Sequence, residues 1–192
     1  MRYSLNLLVP GMVLAVNVAC VAALAQTPTY NVGRTPSKEE IKAWDIAVSP
    51  AGKELPPGSG TVPEGAKVYA QKCSRCHGPT GTEPGPVRPL VGGKGTLTTL
   101  NPLRTIGSYW PFATTLWDYI NRAMPRTEEG SLQPGEVYAL TAFLLFQNGI
   151  IQESDVLDAK SLPKVQMPNR SGFVPPEPGW KPREKRPFGF YP

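Results

Sequence analysis

The sequence is short of the residues that most often hold metals and staples. It has one histidine and three cysteines in 192 residues. A single histidine excludes bis-histidine ligation of a metal within the chain, and a structural zinc site lacks its fourth ligand. Cys20 falls in an apolar leader, so only Cys73 and Cys76 remain downstream, and no disulfide framework can be drawn. Charge of one sign is scarce over most of the chain. Residues 26–159 carry 12 basic and 13 acidic side chains, whereas 160–192 carry seven basic and two acidic. A body this close to neutral offers no basic stripe, so no nucleic-acid partner is expected, and the basic tail reads as a solvated segment. Nothing in the chain repeats, and its length favours one compact domain with extensions.

Long apolar runs are also rare, and the one present is at the start. Met1-Arg2 leads into the apolar stretch Leu5 to Ala25, which closes on Ala23-Leu24-Ala25. Charge, greasy core and small-residue site match a secretory signal cleaved near Ala25, leaving no stable membrane span. Asn6, Pro10, Gly11 and Asn17 interrupt an anchor, and Asn17 stands where a lipoprotein signal at Cys20 would need leucine.

Proline and glycine, in contrast, are plentiful, at 23 and 19. They leave room for only a few short helices. Ser37-Lys38-Glu39-Glu40 has capping-box spacing and predicts a helix from Lys38 to Asp45. The Pro/Gly-rich stretch Ser49 to Gly60 then reads as a linker that wraps. Pro63 opens a helix through Glu64 to Lys72, with Gly65, Val68 and Tyr69 on one face. Residues 78–97 read as a loop of the length seen around ligands. Further helices are expected from Ala113 to Ala123, ended by Met124-Pro125, and from Pro134 to Asn148, ended by Gly149. Val137, Leu140, Thr141 and Leu144 form a stripe on the last, and the Gly65 face is its natural partner. Beyond Asp158 periodicity fades, and the chain is read as extended or disordered.

The chemistry is concentrated in Cys73-Ser74-Arg75-Cys76-His77, a C-x-x-C-H run. Two thiols at this spacing can add across the two vinyl groups of a porphyrin, and the adjacent histidine is then placed to ligate the iron. A thioredoxin-like reading of C-x-x-C lacks its βαβ context. Methionine is the usual soft second ligand, and downstream of the leader only Met124 and Met167 offer one. Met124, before the terminal helix, is favoured over Met167 in its Pro-flanked coil. The ring N–H of His77 should meet a backbone carbonyl, with Pro86 or Pro89 the natural acceptor. Leu90, Trp110, Phe112 and Leu116 could wall the cofactor, and Arg104, Tyr109 and Trp110 carry donors for its propionates.

This order of parts resembles class I cytochrome c: a helix into C-x-x-C-H, a Gly/Pro loop, a methionine loop and a final helix packed on the first. Trp44-Asp45-Ile46, the run Leu55 to Gly60, Gly107-Ser108-Tyr109-Trp110-Pro111 and Asn121-Arg122-Ala123-Met124-Pro125 resemble more closely the cytochrome subunits of molybdenum-containing sulfur dehydrogenases. So do Leu144 to Ile151 and Asp155 to Phe173, notably in the cytochrome subunit of sulfane dehydrogenase in the Sox system. Some such subunits carry two haem domains, and this chain has one C-x-x-C-H. The resemblance implies an all-α, cytochrome c-like helical domain around one covalent haem c, with coil extensions at both ends. Its division would be a signal at 1–25, a wrapping segment with a short helix at 26–60, the cytochrome domain at 61–152 and an extended basic segment at 153–192. It implies a periplasmic electron carrier between a molybdenum dehydrogenase and another c-type cytochrome or an oxidase. The alternative from another class is a haem enzyme acting directly on a sulfur compound such as thiosulfate.

Overall fold

The computed structural model describes residues 32–83 and 87–174. The expected signal, most of the basic tail and Pro86 lie outside the described residues. Contacts divide the chain after Asp45 into two parts. The first holds helix α1 (Lys38–Trp44), whose capping box forms as expected: the Glu40 N–H donates to Ser37 Oγ at 3.2 Å, and the Ser37 N–H donates to the Glu40 carboxylate at 2.8 Å. Arg34 pairs with the same carboxylate, which holds the Glu40 pKa down at about 2. No residue of α1 is buried.

The second part, from Ile46, is all-α apart from one small ribbon. Strand β1 (Ser59–Thr61) runs into α2 (Val62–Lys72), the single turn α3 (Ser74–His77), α4 (Ala113–Ala123) and α5 (Pro134–Gln147). Strand β2 (Val156–Asp158) then returns antiparallel to β1, with Gly60 opposite Leu157. Helix α2 starts one residue before Pro63, because Thr61 caps it. The Glu64 carboxylate takes the Thr61 N–H at 2.9 Å, a second capping box in which Pro63 sits in the first turn, where its missing N–H costs nothing. Helix α5 opens the same way, with the Gln133 N–H on Glu136 at 2.9 Å.

The α2–α5 crossing centres on glycine. A Cβ on Gly65 would lie 1.9 Å from the Ala139 carbonyl oxygen, and one on Gly60 would lie 2.1 Å from the Ala139 nitrogen. Glycine at both places lets α2 and β1 rest directly on the α5 backbone. Above this contact the Tyr69 and Phe143 rings meet at 5.0 Å. The stripe expected on α5 is only part of what is buried, since every residue from Val137 to Leu145 is enclosed. Helices α2 and α4 and both strands pack around it, so no side of its middle reaches water.

The largest difference from expectation lies after residue 153. Beyond β2, a 3-10 turn (Leu162–Lys164) follows, and Leu162 and Met167 are buried in the main core at 0% and 3% exposure. These anchors are single apolar side chains spaced along irregular backbone. They leave no period for a sequence reading to detect. Among the described residues no helix is long and apolar enough to cross a membrane.

Candidate functional site

Helix α2 ends at Lys72 and the chain turns at once into α3. The Cys76 and His77 N–H groups both donate to the Cys73 carbonyl, at 3.1 and 3.0 Å. That turn sets the two cysteines three residues apart on one helical face, with His77 at its end. Both thiols are free; Cys73 is half-buried against the core and Cys76 is exposed. Burial pushes the Cys73 thiol up to about 11, with Lys72 partly opposing it.

His77 is held by its backbone. Gly78 follows it at φ 76°, a conformation that suits glycine, and the buried Tyr69 hydroxyl donates to the Gly78 carbonyl at 3.0 Å and to that of His77 at 3.4 Å. The ring Nδ1 is enclosed and has no hydrogen-bond partner among the described residues. Pro89 therefore does not take the ring N–H as expected, and Pro86 lies outside the described residues. Burial lowers the His77 pKa, which favours the neutral ring, the form with a lone pair to give.

The loop after His77 closes on itself. The Leu90 and Val91 N–H groups both donate to the Gly81 carbonyl, at 2.8 and 3.1 Å. Asn148, at the end of α5, ties this loop to the core: its amide donates to the Leu144 and Leu90 carbonyls at 2.8 and 3.4 Å, and its oxygen accepts from the Gly92 N–H at 3.1 Å. Next to it, Thr105 bonds the Gly92 carbonyl, the Ile106 N–H reaches the Leu90 carbonyl at 3.2 Å, and Ser108 Oγ donates to the Leu103 carbonyl at 2.6 Å. Residues 87–108 thus have little regular structure and are held by main-chain bonds to Gly81 and Leu90 together with side-chain bonds from Asn148, Thr105 and Ser108.

The three donors expected near the propionates separate into two groups. Arg104 lies over the Tyr109 ring at 5.6 Å, and both are exposed. Trp110 instead meets Tyr119 of α4 edge-on at 5.7 Å and packs against the core. Leu90 and Met124 pack half-buried against that same core, Phe112 is half-buried, and Leu116 is fully inside. The Met124 N–H closes α4 on the Ile120 carbonyl at 3.1 Å, so the helix end fixes its position. Asn148, and Asn169 through its bond to the Tyr109 carbonyl, support the site from more than fifty residues away, so no local sequence pattern marks them; Tyr69 is legible as a core-facing helix residue but not as a donor to the His77 and Gly78 carbonyls.

Two thiols on one turn, with a histidine whose Nδ1 is enclosed and whose pKa burial lowers, fit a covalently held haem. Cys73 and Cys76 would form the thioethers and His77 would offer Nε2 to the iron. A family profile described as cytochrome C oxidase, cbb3-type, subunit III, matches residues 60–144, and a cytochrome c domain implies covalently bound haem c. Among solved structures, the crystal structure of the sulfane dehydrogenase SoxCD from Paracoccus pantotrophus matches with a TM-score of 0.71 and 42% identity, over 78% of this chain and 73% of that one. Among curated proteins nothing matches. The chain belongs to the class I c-type cytochromes and is similar to the cytochrome subunit of sulfane dehydrogenase.

Proposed function

We propose that the protein is a periplasmic mono-haem cytochrome that takes electrons from a molybdenum enzyme oxidising a sulfur compound and passes them to another c-type cytochrome or an oxidase. The observation that carries this reading is the 42% identity to SoxCD over most of both chains, together with a single C-x-x-C-H. When bound, haem c supplies one-electron chemistry by cycling between ferric and ferrous iron. Cys73 and Cys76 would hold the group covalently, and His77 and Met124 would be the ligands to its iron. The placement of the two candidate methionines favours Met124, since it is half-buried at a helix end while Met167 is enclosed in the core. Arg104, Tyr109 and Trp110 would serve the propionate side.

Charge along the chain supports a docked carrier. Residues 72–112, which contain the thioether turn and its loop, carry five basic side chains and one acidic, while 113–159 carry two basic and seven acidic. A partner with an acidic rim would be steered to the first of these segments, and association would weaken with salt.

The test is spectroscopic. Mature protein made with haem-ligation machinery should retain its colour through acidified organic extraction. Its ferric form should show the near-infrared band of methionine ligation, lost in Met124→Ala and kept in Met167→Ala. Loss in the second variant alone would reverse the assignment. Ready binding of carbon monoxide by the parent would favour the haem enzyme acting directly on a sulfur compound. Reduction by a molybdenum sulfur dehydrogenase, slowing as salt rises, tests the donor.

A further inference from the structure

Residues Met167 to Phe173 form a strap that grips one short segment, Tyr109 to Phe112, at three points. The Asn169 side-chain amide donates to the Tyr109 carbonyl at 2.7 Å, across sixty residues of chain. The Arg170 guanidinium lies over the Phe112 ring at 5.3 Å, and the Phe173 ring meets the Tyr109 ring edge-on at 5.2 Å. At the strap's start, Met167 is buried in the core. The strap is thus pinned at one end and holds with the other.

The gripped segment follows directly from the bonded loop. Thr105 bonds the Gly92 carbonyl, the Ile106 N–H donates to the Leu90 carbonyl, and Ser108 turns back on the Leu103 carbonyl; the Leu90 N–H in turn donates to the Gly81 carbonyl, four residues past His77. Tyr109 and Trp110 are also the residues assigned to the propionate side. A carbonyl at Tyr109 left without its donor would turn to water, and the ring beside it would lose its edge contact.

We propose that this strap is a positioning device for the haem pocket: Asn169 holds the Tyr109–Phe112 wall closed, and Met167 is its anchor. The inference rests on the cytochrome reading. A closed wall keeps water from the group, and exclusion of water favours the less charged ferrous state, so the strap would hold the potential up. It would also slow entry of outside ligands by reducing the local opening of the wall.

The geometry supplies two independent ways to open the clasp. Asn169→Asp keeps the shape of the side chain and removes the donor. Gly172→Ala leaves Asn169 in place but sets a Cβ 1.7 Å from Asn169 Oδ1, a collision that the flexible amide relieves by rotating away from Tyr109. Neither change touches the core or a haem ligand. In the full-length haem-loaded protein, both variants should lower the midpoint potential and raise the rate of cyanide binding to ferric iron by about threefold to tenfold, the scale of one lost hydrogen bond. Amide hydrogen exchange should rise at residues 109–112 while α5 stays protected. Asn169→Gln, which keeps a donor on a longer arm, should recover part of the loss. A parent that carries covalent haem but whose variants match it in potential and cyanide rate overturns the strap alone. A parent without covalent haem overturns the cytochrome reading first and the strap with it.

Discussion

The α2–α5 crossing and the loop at 78–108 lie next to one another and are held by opposite means. At the crossing, main chains touch through Gly60 and Gly65, and a wholly buried stretch of α5 supplies apolar contact on every side. Among the described residues of the loop, regular structure is almost absent, and Asn148, Thr105 and Ser108 replace it by bonding carbonyls and amides one at a time. The first arrangement resists any added atom. The second tolerates change in most side chains and depends on a few polar ones.

The crossing should therefore be the easiest to break. Gly65→Ala gains helix propensity of about 1 kcal/mol, yet its Cβ would meet the Ala139 carbonyl at 1.9 Å and Phe143 Cβ at 2.7 Å, and neither can move without shifting a helix. We expect a net loss of about 3 kcal/mol or more, read as a fall in the denaturation midpoint at unchanged slope. Wild-type stability in this variant would mean that the helices do not approach as closely as described.

Asn148→Ala attacks the loop instead. It removes the acceptor for the Gly92 N–H and the donor for the Leu144 carbonyl, and opens space beside Gly107, whose own Cβ position lies 2.2 Å from the Asn148 oxygen. The expected loss is about 2 kcal/mol, with faster amide exchange at Gly92 and Ile106 and little change at Ala139. Uniform loss of protection across both regions would show that loop and crossing unfold as one unit. Tyr138→Phe is milder, since it deletes one hydroxyl that donates to the Pro56 carbonyl at 2.9 Å, and it should cost about 1 kcal/mol.

The same contrast explains how much could be read beforehand. Helices α1, α2, α4 and α5 announce themselves through capping residues, Pro63, Pro134 and apolar spacing, and they form within one or two residues of where those signals put them. The Cys73–His77 turn stands out in the sequence because two thiols and a histidine at this spacing have one dominant chemical use. Asn148 and Asn169 are different: each looks like a turn residue, and its partner lies more than fifty residues away, so nothing local distinguishes it. The segment from 153 to 174, which includes the strap, reads as extended for the same reason. Leu162 and Met167 are isolated anchors, and a single apolar residue in a Pro-rich stretch carries no period.

The weakest expected effect is electrostatic and lies at the edge of the crossing. Lys72, at the end of α2, pairs with Glu136 in the first turn of α5 at 2.8 Å, and Glu136 also caps its helix through the Gln133 N–H. The Lys72 ammonium and then that N–H hold the Glu136 carboxylate below its ordinary range. A carboxylate whose pKa is lowered by folding stabilises the folded state above its unfolded pKa, and that contribution fades as pH falls through the folded value. Glu136→Gln should therefore lower stability at neutral pH by about 0.5–1 kcal/mol, with salt reducing the ion-pair share. Below the folded pKa the acid is protonated in both states of the parent, so the gap between the two proteins should narrow toward acid. Titration of the denaturation midpoint from neutral to acid pH checks this, and a gap that widens toward acid would mean that Glu136 acts through packing and not through its charge.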